Sequence, residues 1–439
     1  MFALVFEGAD LKTEITGNNP WFCRKKSERS GDDVAAIFLR WTFMRAVFHR
    51  GYVLVAFLYF VVDAHLTAAQ LTSLGAVMSV TLLLSDVPAG ALADAISRRS
   101  SLLVGHALLA SGMTMTAFVT AYPWIIVTQV LWGLGWAFSG GADVAWVTDE
   151  LDRPERIDRV LAASARLSLV GGVAGMVGFG LLGWDRSLAS AIAASGVGMA
   201  ATAIFVAARF EERSLGSLSE RSWSRSLSIL HQGLALALRD KEILLVFAAT
   251  VLSEGASIIG WLFPKELLDL GSSNDPIFWW TGIGIVSFVT GAVALRFVEM
   301  RIEGVEAVRR GYATACFIGV VALAMLAWGP GIVIGSIGML LTWGVAFNVT
   351  RAISVIWVNR CTTSEVRATV LSCLSQAKSI GGIVGGFAVT VLARANIRLA
   401  LAASAALFLL AGGLVAWLGA NGIPTSMEHA WERNEEQRR

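Results

Sequence analysis

The sequence predicts an all-α membrane protein: twelve transmembrane helices in two pseudo-symmetric six-helix bundles. Three observations lead there. Hydrophobic residues make up 55% of the 439 positions and charged residues only 15%, against about 25% charged in a soluble domain. The apolar residues fall in blocks of about 20, the length of a bilayer-crossing helix. Finally, a passage of the first half recurs in the second. Residues 160–175 read VLAASARLSLVGGVAG and residues 370–385 read VLSCLSQAKSIGGIVG, an ungapped match at an offset of 210 with three glycines in common.

The elements follow in order. Residues 1–38 are polar, and their one apolar run, MFALVF, is too short for a signal-peptide core; they predict a cytoplasmic tail. Spans are expected over 42–62, 71–92, 102–121, 125–147, 163–183 and 188–208, which place an N-terminal bundle at 39–208. Residues 209–242 are the longest internal polar segment, and SWSRSLSILHQGLALALRDK within it reads as an amphipathic linker helix on the membrane surface. Spans over 243–263, 277–296, 312–328, 332–356, 369–392 and 399–419 form a C-terminal bundle at 243–420, and 421–439 is a second cytoplasmic tail. Each span has to be helical because lipid offers no partner to an open backbone.

Charge sets the orientation. The two tails and alternate gaps between spans hold 26 Lys and Arg against four, at Arg186, Lys265, Arg394 and Arg398, in the other gaps. Excess positive charge stays cytoplasmic, so both termini are expected inside a plasma (inner) membrane. The net charge of +2 says little about partners, and no nucleic-acid partner is expected.

Between spans 2 and 3 the chain reads Gly90-Ala-Leu-Ala-Asp94-Ala-Ile-Ser-Arg98-Arg99. This resembles the signature loop of the major facilitator superfamily: a glycine, an aspartate four residues on, then a basic pair. Asp86-Val-Pro88 resembles the acidic-x-Pro that often precedes that loop, and SGGADVAWVTDEL at 139–151 looks like the fourth-helix end of drug-exporter-like members. The resemblance covers about residues 36–420. It implies the major facilitator fold and transport by rocking of the two halves around a central site. It also implies a gate at the cytoplasmic end. Gly90 would permit close helix approach, Asp94 would meet the N-terminal end of the eleventh helix, and Asp86, Arg98, Arg99 and Asp149 would join the latch. A purely topological role for the arginines is the alternative.

Two departures bear on coupling. Proton-coupled exporters carry Arg, two residues, then Gln-Gly in the fourth helix; here the stretch is Gln129-Val-Leu-Trp132-Gly133. Span 5 holds six glycines and lacks the family's Gly-Pro. A coupling charge then has to lie elsewhere, and ionisable groups inside spans are the candidates. Arg50, Glu254 and Lys378 are expected roughly 12, 17 and 14 Å in from the cytoplasmic starts of spans 1, 7 and 11. The resemblance puts the first helix of each half on the central cavity, with Arg50 and Glu254 on opposite walls. His49, Gln129 and Asp143 complete the substrate or coupling set. A structural ion pair or a snorkelling arginine is the plainer alternative. Arg45, Arg166 and Arg351 are read as gate or packing groups nearer the cytoplasmic ends. Trp132, Trp136, Trp279, Trp280 and Trp343 are deep aromatics suited either to packing or to an apolar substrate.

Other chemistries find no support. Gly178-Phe-Gly-Leu-Leu-Gly183 matches a dinucleotide fingerprint but lies in an apolar span with no preceding strand. No phosphate-binding loop of the GxxxxGK type occurs, and the four cysteines have neither metal spacing nor an oxidising context. The expected function is therefore secondary transport of a small organic, drug-like or natural-product molecule, as proton-coupled efflux, with no cofactor and no enzymatic step. The expected partners are a small-molecule substrate, protons and membrane lipids, with the chain acting as a monomer. An uptake permease, a uniporter or a transport-inactive membrane sensor are the alternatives.

Overall fold

The computed structural model describes residues 31–95, 97–151, 156–211, 240–271, 276–302, 304–362 and 364–420. The linker helix expected within 209–242, the C-terminal tail and most of the N-terminal tail lie outside them. The described residues form twelve membrane-length helical segments: α1 (Gly31–Val62), α2 (Ala68–Ala95), α3 (Arg98–Thr116), α4 (Tyr122–Glu150), α5 (Ile157–Asp185) and α6 (Leu188–Arg209), then α7 (Lys241–Asp269), α8 (Pro276–Arg301), α9 (Gly304–Trp328), α10 (Gly331–Cys361), α11 (Ser364–Ala395) and α12 (Ile397–Ala420). Eleven of them are long and apolar enough to cross a membrane on composition alone. The other, α3, is diluted by Ser100, Ser101, His106, Ser111, Thr114 and Thr116. Many large apolar side chains, among them Phe118, Trp124, Trp184, Ile204 and Phe387, remain exposed, as lipid-facing helices require.

Helix α1 begins within the expected 1–38 tail, because Val34, Ile37 and Phe38 are buried there against the first bundle. Local chemistry sets the other ends. The Ser97, Ser187 and Asp240 side chains cap α3, α6 and α7 by accepting from backbone N–H groups, satisfying donors that a helix start leaves open. Gly141, at φ 77°, breaks α4 into Tyr122–Ser139 and Ala142–Glu150; a left-handed residue there favours glycine. Helix α7 tightens to a 3-10 turn at Ile258–Leu262 before Pro264. Helix α10 widens to a π turn at Leu341–Ala346, and Asn348 Nδ2 donates to the Trp343 and Gly344 carbonyls of that turn at 2.9 and 3.1 Å.

The two halves repeat one packing plan. In the first, α1 packs on α5 and α6, and α3 on α4 and α6; in the second, α7 packs on α11 and α12, and α9 on α10 and α12. The duplicated glycines explain why the passage recurs. A Cβ on Gly175 would lie 2.1 Å from the Val47 carbonyl oxygen of α1, and one on Gly385 would lie 2.2 Å from Gly255 Cα of α7. Each copy seats its helix against the first helix of its own bundle at backbone contact, as small residues do in membranes. The repeated tryptophans, Trp146 and Trp357, are both buried.

Two seams join the halves. Helices α2 and α11 run antiparallel along one of them. Thr390 Oγ1 donates to Thr72 Oγ1 at 2.8 Å, Gly386 faces Ala76, Gly382 faces Ser79, and Ser375 Oγ donates to Asp86 at 3.1 Å. Across the other, Gly172 and Gly180 of α5 face Phe288 and Thr281 of α8. Here the end of the bundle where α1 begins and α12 stops is called the near end, and the opposite one the far end.

Candidate substrate and coupling site

At the far end an aromatic layer closes the space between the halves. Phe57 of α1 sits edge-on between Trp261 of α7 and Trp343 of α10, with centroids 4.6 and 6.4 Å away. Trp343 stacks on Trp280 at 5.3 Å, and Trp280 Nε1 donates to the Leu54 carbonyl of α1 at 2.8 Å. Trp261 also lies against Gly75 of α2. These side chains belong to the periodic faces that bring α1, α7, α8 and α10 together.

One or two turns nearer the termini lies a charged layer. Glu254 is buried on α7 and accepts from Arg351 of α10 at two points, Nε to Oε1 at 2.7 Å and Nη2 to Oε2 at 2.6 Å. Ser257 Oγ donates to the Glu254 carbonyl at 2.8 Å and accepts from Arg351 at 3.2 Å. The Glu254 side chain is 9% exposed and that of Arg351 47%, so the pair is anchored at the carboxylate and open at the guanidinium. Lys378 of α11 is half-buried and within electrostatic reach of both. Arg50 of α1 is exposed, with its guanidinium 4.8 Å above the Phe288 ring of α8.

The structure thus gathers Glu254, Lys378 and Arg50 at one level, with one correction. The partner of Glu254 is Arg351, which the sequence placed among gate or packing groups nearer the cytoplasmic ends. The sequence predicts an end of span 10 at 356, whereas α10 continues to Cys361. Arg351 consequently lies ten residues, about 15 Å, from the helix end. Its depth would have been legible had the polar turn Asn359-Arg360 been read as part of the helix.

The remaining candidates belong to the first bundle's interior. Gln129 is 1% exposed and its amide lies 3.3 Å from Thr128 Oγ1, beside Tyr52 and Thr116; it does not reach the seam. Asp143 pairs with Arg45 at 3.0 Å, bracing α4 to α1, and Arg45 also lies over Trp136 at 4.7 Å. His49 stacks on Trp132 at 5.6 Å and meets Trp136 edge-on at 4.8 Å, and its Nε2 has no partner among the described residues. Trp279 is 42% exposed and donates to Ser336 at the surface.

At the near end Arg98 bonds Asp149 and the Ala145 carbonyl, and Arg99 donates to the Ala207 carbonyl at 2.6 Å. Both arginines brace helices of the first bundle. Gly90 is exposed and a Cβ there would meet nothing within 4 Å, so the close approach expected at Gly90 is absent from this conformation. The Asp94 side chain lies outside the described residues. Sequence reading also passed over Glu242 and Arg309, a buried ion pair joining α7 to α9 near the termini. A surface pocket of about 340 Å³ at the far end, lined by Glu266, Asp269, Leu270, Trp328 and Arg398 among others, shares no residue with the charged layer.

Residues 41–386 match the family model described as Major Facilitator Superfamily. Among solved structures, the nucleoside transporter NupG superposes with a TM-score of 0.68 at 14% identity, covering 88% of this chain and 97% of that one. A POT family transporter in complex with 5-aminolevulinic acid gives 0.67 at 10% identity, covering 91% and 98%. A peptide transporter POT in complex with sulfate gives 0.66 at 10% identity, covering 90% and 99%. At such identities the likeness is one of fold. No curated protein matches the chain.

Proposed function

The chain belongs to the major facilitator superfamily, and on that premise we propose that it is a secondary active transporter. It moves a small organic molecule across the plasma membrane by alternating access, with both termini cytoplasmic. The observation that carries this reading is the charged layer of Arg50, Glu254, Arg351 and Lys378, drawn from both halves and lying between them at mid-depth. Intramembrane charge of this kind is costly and marks substrate or ion pathways. With the termini inside, the aromatic layer of Phe57, Trp261, Trp280 and Trp343 closes the outer side. The exposed edges of Arg50 and Arg351, on the near-end side of that layer, fit a transporter open inward.

Coupling to protons is assigned to Glu254. A proton on this carboxylate replaces Arg351 as its partner, so protonation and release of the guanidinium are one event. The sequence departures at Gln129 and in α5 remove the usual coupling groups, and Glu254 stands in for them. Export is the proposed direction, resting on the exporter-like segment 139–151. Near-end closure in the outward-facing state is assigned to Gly90, Asp94 and Asp86 against α11, with Arg98 and Asp149 holding the loop.

The deciding experiment is substrate accumulation in inverted and right-side-out vesicles, with and without an imposed proton gradient. Gradient-driven accumulation in inverted vesicles supports proton-coupled export. Accumulation only in right-side-out vesicles identifies an uptake carrier, and movement indifferent to the gradient a uniporter.

A further inference from the structure

We infer that the substrate is an organic anion, its acidic group held among Arg50, Lys378 and the open edge of Arg351, its apolar body against the aromatic layer. The inference rests on the transport reading above and names the substrate class of the same site.

Placement comes first. Lys378 lies on the face of α11 that carries Ser375, Gly382 and Gly386, three, four and eight residues away, and these touch Asp86, Ser79 and Ala76 of α2. Residues at that spacing share one helix face, so Lys378 faces the opposite half. Arg50 is followed on its own face by Leu54 and Phe57, which touch Gly284, Trp280 and Trp261. Glu254 shares its face with Trp261, seven residues on. Arg50 and Lys378 therefore border the seam between the halves, and Glu254 joins that level through its pair with Arg351.

The charge count at this level is three cations against one carboxylate. Among the described residues neither Arg50 nor Lys378 has a carboxylate within ion-pair distance, while Arg351 is the bridge to Glu254. The nearest further acid on the seam, Asp86, is engaged by Ser375. Ser375 lies three residues, about 4.5 Å, nearer the termini than Lys378, and counting Asp86 still leaves one positive charge. Arg45 and Asp143 cancel. Uncompensated positive charge at mid-membrane depth is costly, and an anionic ligand removes the cost when it binds.

Donors are available for such a ligand. A guanidinium has five N–H groups, and Arg351 commits only Nε and Nη2, leaving Nη1 free among the described residues. Lys378 brings three donors and Arg50 a planar fork, the geometry suited to a carboxylate or phosphate. Above them Trp261 and Trp343, and beside them Phe288, supply aromatic surface for an apolar body.

The test uses the purified full-length protein and two matched triplets: indole-3-acetate, indole-3-acetamide and tryptamine, and 4-phenylbutyrate, 4-phenylbutanol and 4-phenylbutylamine. Thermal unfolding is followed with each, and with chloride and sulfate as inorganic controls. The carboxylate of a triplet is expected to raise Tm while its amide, alcohol and amine do not. Arg50→Gln and Lys378→Gln should each weaken carboxylate binding by about tenfold or more, the loss of one charge-assisted hydrogen bond, and Lys378→Arg should retain it. No shift from either carboxylate, a shift from the amine or the neutral member instead, or an equal shift from chloride or sulfate overturns the inference. Counterflow in proteoliposomes separates the two readings. Transport of an amine or neutral member refutes the organic anion and leaves transport standing, whereas a carboxylate that binds but never crosses refutes transport and leaves the anion site.

Discussion

Glu254 and Arg351 form a two-point ion pair between α7 and α10, its two contacts at 2.7 and 2.6 Å. The carboxylate is buried in the second bundle and the guanidinium is about half exposed. On the reading proposed above, a substrate in the seam meets Arg351 first and Glu254 through it. On that reading this asymmetry lets the pair act as a relay between substrate and proton, where a fully buried pair would be only a brace.

Glu254→Gln is therefore expected to abolish gradient-driven transport while leaving substrate exchange measurable in proteoliposomes. Removing one partner of a fully buried pair costs about 3–5 kcal/mol. Solvent at the half-exposed Arg351 screens the loss, so we expect about 1–2 kcal/mol. The double variant Glu254→Gln/Arg351→Gln should unfold at a higher temperature than Glu254→Gln alone, because it leaves no unpaired cation. Full gradient-driven transport by Glu254→Gln would make Glu254 a structural residue.

The far-end closure of α2 on α11 predicts a reversible lock. Thr72 and Thr390 meet at 2.8 Å through their hydroxyls. Thr72→Cys/Thr390→Cys should crosslink under mild oxidation, stop transport, and recover on reduction. Transport at the uncrosslinked rate after complete crosslinking would show that α2 and α11 do not separate at this end.

Glycines divide into those in contact and those in open space. Gly385→Ala places a methyl group 2.2 Å from Gly255 Cα, where only backbone can give way, and should cost about 2–3 kcal/mol. Gly90→Ala meets nothing here and should leave the unfolding temperature of the folded protein unchanged. If Gly90 closes against another helix in the outward-facing state, Gly90→Ala will slow transport at unchanged stability, which a paired stability and transport measurement reads directly.

The near-end loop predicts a similar split. Asp149→Asn removes a partly exposed partner of Arg98, which retains the Ala145 carbonyl, and should cost about 0.5–1 kcal/mol. Asp94→Asn should lower transport with little change in the amount of folded protein. Wild-type transport by Asp94→Asn would leave the loop as a topology determinant alone.

Orientation has its own test. A membrane-impermeant thiol reagent should modify Cys23 in inverted vesicles and not in intact cells. The reverse result would invert the assignment of both ends and place the aromatic layer on the cytoplasmic side.

The sequence by itself determined the all-helical membrane fold, its helix order and the repeat, because each rests on local quantities. Hydropathy over about 20 residues decides whether a segment can leave water. A self-match at offset 210 needs no contact to be seen, and an ionisable residue inside an apolar run is conspicuous wherever it points. That is why Arg50, Glu254 and Lys378 stand out in the sequence as candidates.

Only the tertiary structure decided which of these meet. Arg351 is 97 residues from Glu254, and their contact depends on the rotation of two helices about their axes and on where α10 stops. A boundary five residues short puts Arg351 near the helix end instead of at the level of Glu254. Gln129 and His49 carry suitable chemistry but face the interior of their own bundle, and Gly90, legible as a motif, touches nothing in this conformation. Such pairings are set by the helix packing that close glycine contacts permit, the sum of many remote contacts, and no local run of residues records them.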